Sequence, residues 1–296
     1  MSTSDFDHRK GLLITGIGGL ALSFDIPLLR LGQGETWSVL LLRSGTTFLT
    51  ALVIWLVWSL WSGRARAALP GRQGLLVAGL YGLSSITFMI AVFSTSTANL
   101  VFILTFNTVF AALLSWIFLK ERPKSATLVA IAFMILGVAI IVKDGFQSGN
   151  WFGDAFALVS TFILASAITV TRASGKNMGF APLLGTLVPT LVAASFVAGN
   201  GFTVEHPGWI IFNGAFITTT AFMCLATGPK YLSGPEVAMF YLLETVLAPI
   251  YVWLIFAETP TRAAFTGGFI LITTLIIHSF WQMRARRKRL TQLQQV

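Results

Sequence analysis

Ten apolar stretches follow one another along the chain, at 11–29, 37–61, 74–93, 98–119, 125–142, 152–171, 181–199, 209–227, 235–257 and 263–281. Each runs for about 18 residues or more, enough for a helix to cross the roughly 30 Å hydrocarbon core of a bilayer. A helix satisfies its own backbone groups, as lipid demands. The ten-residue alternating segments of a membrane β-barrel are absent. Polar links between the stretches are short, which leaves no room for a second, soluble domain. The first ten residues are polar, and no small-residue cleavage site follows the first apolar run, so that run is read as an uncleaved helix.

Composition sharpens this picture. Of the 296 residues 55% are hydrophobic and 10% charged, with mean hydropathy +0.79. A soluble domain averages about 25% charged residues, so the surface these stretches build does not face water. The net charge of +9 suggests nucleic acid until its placement is seen. With ten crossings both termini share one side, and 16 of the 20 Lys and Arg residues fall there. Arg30, Lys143 and Arg262 fall on the other side, and Arg43 lies within the second stretch. Positive residues collect in the cytoplasm, so both termini are expected to be cytoplasmic. The tail RARRKR (284–289) reads as an anchor at an anionic lipid surface and not as a nucleic-acid site. The single cysteine, Cys224, excludes an intrachain disulfide and reads as a packing residue.

The chain also repeats. LVFILTFNTVFAALLSWIFLKERP (100–123) aligns without a gap on VAMFYLLETVLAPIYVWLIFAETP (237–260). Thr108 meets Thr245, Val109 Val246, Ala111 Ala248, Trp116 Trp253, Glu121 Glu258 and Pro123 Pro260. One copy is the fourth helix of the first five and the other the fourth of the second five. Five is odd, so the second copy enters the membrane from the opposite side. Inverted repeats of this kind are typical of secondary transporters, whose site lies at the repeat interface near the midplane. The expected fold is an all-α integral membrane protein of ten transmembrane helices in two inverted five-helix repeats. Residues 1–10 form a cytoplasmic N-terminus, 11–142 the first repeat, 143–151 an external link, 152–281 the second repeat and 282–296 a basic cytoplasmic tail.

The five-plus-five layout and the twin helices ending in ERP and ETP resemble the drug/metabolite transporter superfamily, EamA type. In that family the fourth helix of each half ends in an acidic residue shortly before a proline. A glycine-bearing helix follows, matched here by Gly137 and by Gly267–Gly268. One departure is visible: the family often has a proline inside these helices, where Thr108 and Thr245 stand here, and only the second copy has one nearby, Pro249. The resemblance implies an exporter of small metabolites, often amino acids. Its YddG-type branch moves aromatic and other apolar amino acids, and its bacterial members imply a multi-pass inner-membrane location.

Ionisable groups inside a membrane are costly and usually face a cavity. Asp25, Arg43, Glu244 and His278 are such groups. Glu244 shares a helical face with Phe240, Tyr241 and Ala248, which suits a pocket wall. Pro249 frees a carbonyl and is expected to bend that helix. Asn107 holds the repeat position equivalent to Glu244, as cavity lining or as interhelical glue. Tyr81, Ser85 and Phe88 recur at helical spacing in the third stretch, as do Tyr81, Ser84 and Phe88, while Ala78 and Gly82 make a small-residue packing face. The expected substrate-binding set is Tyr81, Ser85, Phe88, Asn107, Phe240, Tyr241 and Glu244. Asp25 and Arg43 either form a gate or brace or snorkel separately to the external surface, and Glu244 attracts an amino group or carries a coupling proton. His278 reads as packing or anchoring.

No Walker loop, GxSxG elbow or metal-ligating set occurs, so no enzyme chemistry, ATP use, metal or cofactor is implied beyond proton coupling. The expected partners are a small-molecule substrate and the lipid bilayer, with no nucleic acid, in a monomer or a homodimer through the fifth and tenth helices. Drugs or other metabolites are the alternative cargo. A channel, or a non-transporting scaffold or sensor, is the alternative of another class.

Overall fold

The computed structural model describes residues 3–62, 71–120, 122–123, 125–175, 178–227, 231 and 234–293. Their regular structure is helical apart from one isolated bridge between Gly34 and Val204. Nine helices among them are long and apolar enough to cross a membrane. They are α1 (Arg9–Leu31), α2 (Thr36–Trp61), α3 (Gly71–Ser94), α4 (Thr97–Leu119), α5 (Ser125–Ser148), α6 (Trp151–Ser174), α7 (Ala181–Asn200), α8 (Pro207–Leu225) and α10 (Arg262–Arg284). Between the last two lies α9 (Gly234–Phe256), whose described apolar part is Phe240–Phe256. The apolar stretches of the sequence thus each become a helix. Glu121, the carboxylate of the first copy's motif, lies outside the described residues, as do the side chains of the basic tail beyond Arg284.

Contacts between links place them at two ends. The α1–α2 link bonds the α7–α8 link, with Glu35 N donating to Thr203 O at 3.0 Å and His206 N to Gly32 O at 2.9 Å. Arg30 donates to Thr95 O in the α3–α4 link at 2.9 Å. Thr261 after α9 donates to Asp144 at the end of α5 at 2.6 Å. These five links share what is called here the link end. At the other, terminal end Lys10 lies over the Tyr231 ring, 5.6 Å from its centroid, and Thr127 bonds His278 at 3.1 Å.

Packing follows a regular scheme. α1 lies against α8 and α9, and α6 lies against α3 and α4. α2 lies against α7 and α8, α7 against α2 and α3, and α5 against α10. Exchanging each helix with the one five places along maps these pairings onto one another. Glycine sets two of the closest approaches. A Cβ on Gly82 would stand 2.6 Å from the Gly185 carbonyl oxygen, and one on Gly267 2.7 Å from that of Gly137. Removing the side chain lets the backbones touch where lipid supplies no hydrophobic drive of its own. The core between the helices is sealed by Ile26, Leu29, Leu40, Met89, Leu100, Ile103 and Leu271, all fully buried.

Four helices are irregular, and α9 is not among them. α1 breaks at Phe24 between Thr3–Ser23 and Asp25–Leu31, α4 at Thr105–Phe106, and α7 at Thr186. α8 holds a π-helical turn, Asn213–Thr218. α9 runs unbroken through Pro249, and of the two fourth-helix copies it is α4, which lacks the proline, that is interrupted. The cause is local. Proline's fixed φ is itself helical, and a helix continues when the freed carbonyl finds other company. In α4 the Thr105 hydroxyl donates to Phe102 O at 2.6 Å and that of Thr108 to Thr105 O at 3.1 Å. Hydroxyls that bond the carbonyls of the preceding turn compete with the i→i−4 ladder, and Phe106 N turns instead to Ile103 O at 2.9 Å.

Candidate functional site

Depth along each helix sorts the polar groups into layers. At 1.5 Å per residue, Asp25, Arg43, Phe88 and Asn213 each lie about 9–11 Å from the link end of their helices. Ser85, Asn107, Glu244, Tyr81 and Tyr241 lie deeper, at about 14–23 Å. Glu244 is the eleventh residue of the 23 in α9, close to its middle.

The shallower layer is a closed polar cluster. Arg43 Nη2 donates to Asp25 Oδ2 at 2.7 Å, with both side chains buried. The pair expected from sequence as one of two options therefore forms, and snorkelling is not how these groups are housed. Asn213 completes the cluster. Its Oδ1 accepts from Arg43 Nε at 3.2 Å, and its Nδ2 donates to Asp25 Oδ1 at 2.9 Å. Thr218 donates to Asp25 Oδ1 at 3.3 Å and to Asn213 Oδ1 at 3.0 Å. The Arg43 guanidinium lies 5.6 Å from the Phe88 ring centroid. The π turn aims Asn213 inward: Thr47 and Thr219 both donate to Gly214 O at 2.9 Å, and α2 presses so closely that a Cβ on Gly214 would meet the Arg43 carbonyl. π turns of this kind recur at functional sites. An amide in the apolar run 209–227 was the available sequence signal for Asn213, and sequence reasoning passed it over.

The deeper layer holds no such cluster among the described residues. Glu244 is partly exposed and makes no hydrogen bond or ion pair with any described residue. Tyr241 is 45% exposed, whereas Tyr81, on α3, packs against the buried cluster of Val77, Ala78, Met178 and Ala181. Phe240 turns the other way, its ring edge 3.4 Å from where a Cβ on Gly16 would stand. It serves the α1–α9 contact. The third helix divides as its spacing suggested. Ser84 bonds Ser160 of α6 at 3.1 Å and Gly82 meets α7, while Tyr81, Ser85 and Phe88 are half-buried on other faces. Asn107 opens the second segment of α4, and its buried Oδ1 has no partner. No hydrogen bond joins Asn107 or Ser85 to Glu244 among the described residues.

A third group lies at the link end. Glu258 Oε2 accepts from Arg30 Nη1 at 2.5 Å, and its Oε1 accepts from Thr97 N, the first residue of α4, at 2.8 Å. A carboxylate there complements both the guanidinium and the positive end of the helix. An open cleft of about 650 Å³ lies beside it, lined by Arg30, Thr95, Ser96, Asn150, Phe256 and Glu258. It is a vestibule at the link end: Glu244 is fourteen residues earlier on the same chain, about 21 Å of helix rise away. Asp154 sits nearby, fully buried, accepting from Thr95 at 2.6 Å and from Asn99 at 3.3 Å. It too was passed over, although a carboxylate three residues into an apolar run is visible in the sequence.

Residues 9–143 match the EamA-like transporter family. Among curated proteins the chain is 27% identical over 203 residues to an uncharacterized transporter of Synechocystis sp., covering 62% of this chain and 58% of that one. It is 25% identical over 222 residues to an uncharacterized transporter of Clostridium kluyveri, covering 70% of each. The match to the first of these relatives thus spans under two thirds of that protein's length. A protein of known crystal structure shares the fold at TM-score 0.64 and 16% identity, over 93% of this chain and 98% of its own.

Proposed function

From a multi-pass membrane chain whose residues 9–143 form an EamA family domain, we infer a secondary active or facilitative transporter that exports small metabolites by alternating access. The observation that carries this reading is Glu244. It is a carboxylate midway along α9 that makes no hydrogen bond or ion pair with any described residue. A group that would cost several kcal/mol to leave unpaired in an apolar interior is retained where something else meets it. The exchange symmetry of the packing supports two inverted five-helix repeats, 11–142 and 152–281, rocking about a site at their interface. The sharing of one end by five links supports ten crossings, and the charge distribution supports cytoplasmic termini in a bacterial inner membrane.

In this reading the Glu258–Arg30–Thr97 contact ties α1, α4 and α9 together and holds the link end shut. Breaking it opens the vestibule toward the central space. The cargo class the aromatic walls suit is an apolar or aromatic amino acid, with drugs or other metabolites as the alternative. The proteoliposome test preloads vesicles with one unlabelled amino acid at a time and follows uptake of the labelled form. Exchange by the wild type and its loss in a folded Glu244→Gln variant is the expected result. Absence of exchange across amino acids and a wider metabolite panel overturns the transporter reading in favour of a membrane scaffold.

A further inference from the structure

We propose that the vestibule at the link end is a binding site for an organic carboxylate with an apolar body. Glu258 occupies the site at rest, and an incoming carboxylate releases the latch by taking its place on Arg30 and the Thr97 amide. This rests on the latch reading above.

Glu258 shows what the site accepts. Its two oxygens bridge donors from two helices, Arg30 Nη1 at 2.5 Å and Thr97 N at 2.8 Å, so these donors stand at the bite of one carboxylate. Both are fixed by other contacts. Arg30 Nη2 donates to Thr95 O at 2.9 Å and to Val92 O at 3.3 Å. Thr97 opens α4, whose cap Ser96 accepts from Asn99 N at 3.2 Å. Without Glu258, a guanidinium and a helix start remain in position to take another anion. A second helix start opens on the cleft at Asn150, whose side chain makes no capping bond.

The cleft has room for the rest of such a molecule. Its volume of about 650 Å³ suits a small organic ligand, and Val92, Phe93 and Phe256 give it an apolar wall. Both members of the ion pair line it, with side chains 22% and 26% accessible. Among the described lining residues Arg30 is the only cation and Glu258 the only carboxylate. Asp154, nearby, is fully buried and already accepts from Thr95 and Asn99. Glu258 is the part that can leave. It lies beyond the end of α9, after Ala257, whose φ of 55° is a left-handed turn that L side chains disfavour. A tethered carboxylate competes at an effective concentration of about millimolar, so a free one displaces it only at similar levels. Weak occupancy of that kind suits a vestibule that passes its ligand on.

Removing the tethered competitor tests this by a gain of binding, which a damaged fold does not produce. Saturable binding of 3-phenylpropionate, of its neutral analogue 3-phenylpropanamide and of phenylethylamine is measured on the purified full-length protein. The expected result is weak binding of phenylpropionate to the wild type and at least tenfold tighter binding to Glu258→Gln. Neither the amide nor the amine should gain, and adding Arg30→Gln to Glu258→Gln should abolish the gain. Should the double variant fail to fold, the contrast between carboxylate and amide in Glu258→Gln decides. Phenylpropionate binding that is unchanged or weaker in Glu258→Gln, an equal gain for the amide, or a gain that survives Arg30→Gln overturns the proposal and leaves the latch and the transporter reading standing. The expected gain in a protein that shows no counterflow of any metabolite in proteoliposomes supports the site and overturns transport. No binding of phenylpropionate to either form overturns the proposal.

Discussion

Arg30 of α1 and Glu258, two residues beyond α9, meet at 2.5 Å, and the second oxygen of the same carboxylate accepts the Thr97 amide at 2.8 Å. One side chain thus joins the end of one repeat's fourth helix to the start of the other's. The acidic residue of the Glu-x-Pro motif has a physical task here: it fills an amide that a helix start leaves without a partner.

The two halves of this contact separate by substitution. The ion pair is partly exposed, its side chains 22% and 26% accessible, and such pairs contribute about 0.2–1 kcal/mol. A lost N-terminal acceptor costs about 1 kcal/mol. Glu258→Gln is expected to keep the cap and lose the charge, and Glu258→Ala to lose both. With Cys224 replaced by Ser and Asn150 by Cys, a membrane-impermeant maleimide should label the vestibule several-fold faster in Glu258→Ala than in Glu258→Gln. Equal rates in both variants and the parent remove the latch.

The Asp25–Arg43 pair is buried, so its members are not independent. Arg43→Ala leaves a buried carboxylate uncompensated and is expected to destabilise by about 3–5 kcal/mol. The double variant Asp25→Ala with Arg43→Ala should lose less than Arg43→Ala alone. Unfolding of the purified variants in detergent measures this. A double variant as unstable as the sum of the singles refutes the coupling.

The α3–α7 contact offers a controlled comparison of glycines. A Cβ at Gly82 would press on the Gly185 carbonyl and on Val188, whereas one at Gly79 meets nothing within 4 Å. Gly82→Ala is expected to destabilise by about 1–3 kcal/mol through overpacking. Gly79→Ala is expected to be neutral or to stabilise by up to about 1 kcal/mol through helix propensity. Melting temperatures of the two variants in one detergent are the measurement, and a Gly82→Ala variant as stable as Gly79→Ala contradicts the packing described.

Orientation is tested by labelling intact cells, again without Cys224. A cysteine placed at Glu35 or Gly149, both at the link end, should react with an impermeant maleimide from outside. One placed at Lys120 should react only after permeabilisation. The reverse pattern inverts the topology proposed from charge.

Much of this molecule could be read along one dimension. Helix positions followed from runs of apolar residues, because lipid forces each segment to satisfy its backbone locally. The fourth-helix repeat and its Glu-x-Pro ends were equally legible, as was Glu244, since a carboxylate deep in an apolar run is conspicuous wherever it points. What tertiary structure alone decided is pairing. Asp25 and Arg43 are eighteen residues apart and Asn213 is 170 beyond Arg43, yet a π turn in α8 brings all three within hydrogen-bond reach. Ser84 and Ser85 are adjacent in sequence, but only packing shows that Ser84 binds α6. Pro249 lies inside an α9 that runs on as one helix, while α4 is broken where threonine hydroxyls bond the preceding turn. Local sequence dictates which backbone groups a helix satisfies. Which side chains neutralise one another, and which carboxylate is left without a partner among the described residues, depends on helices brought together in three dimensions.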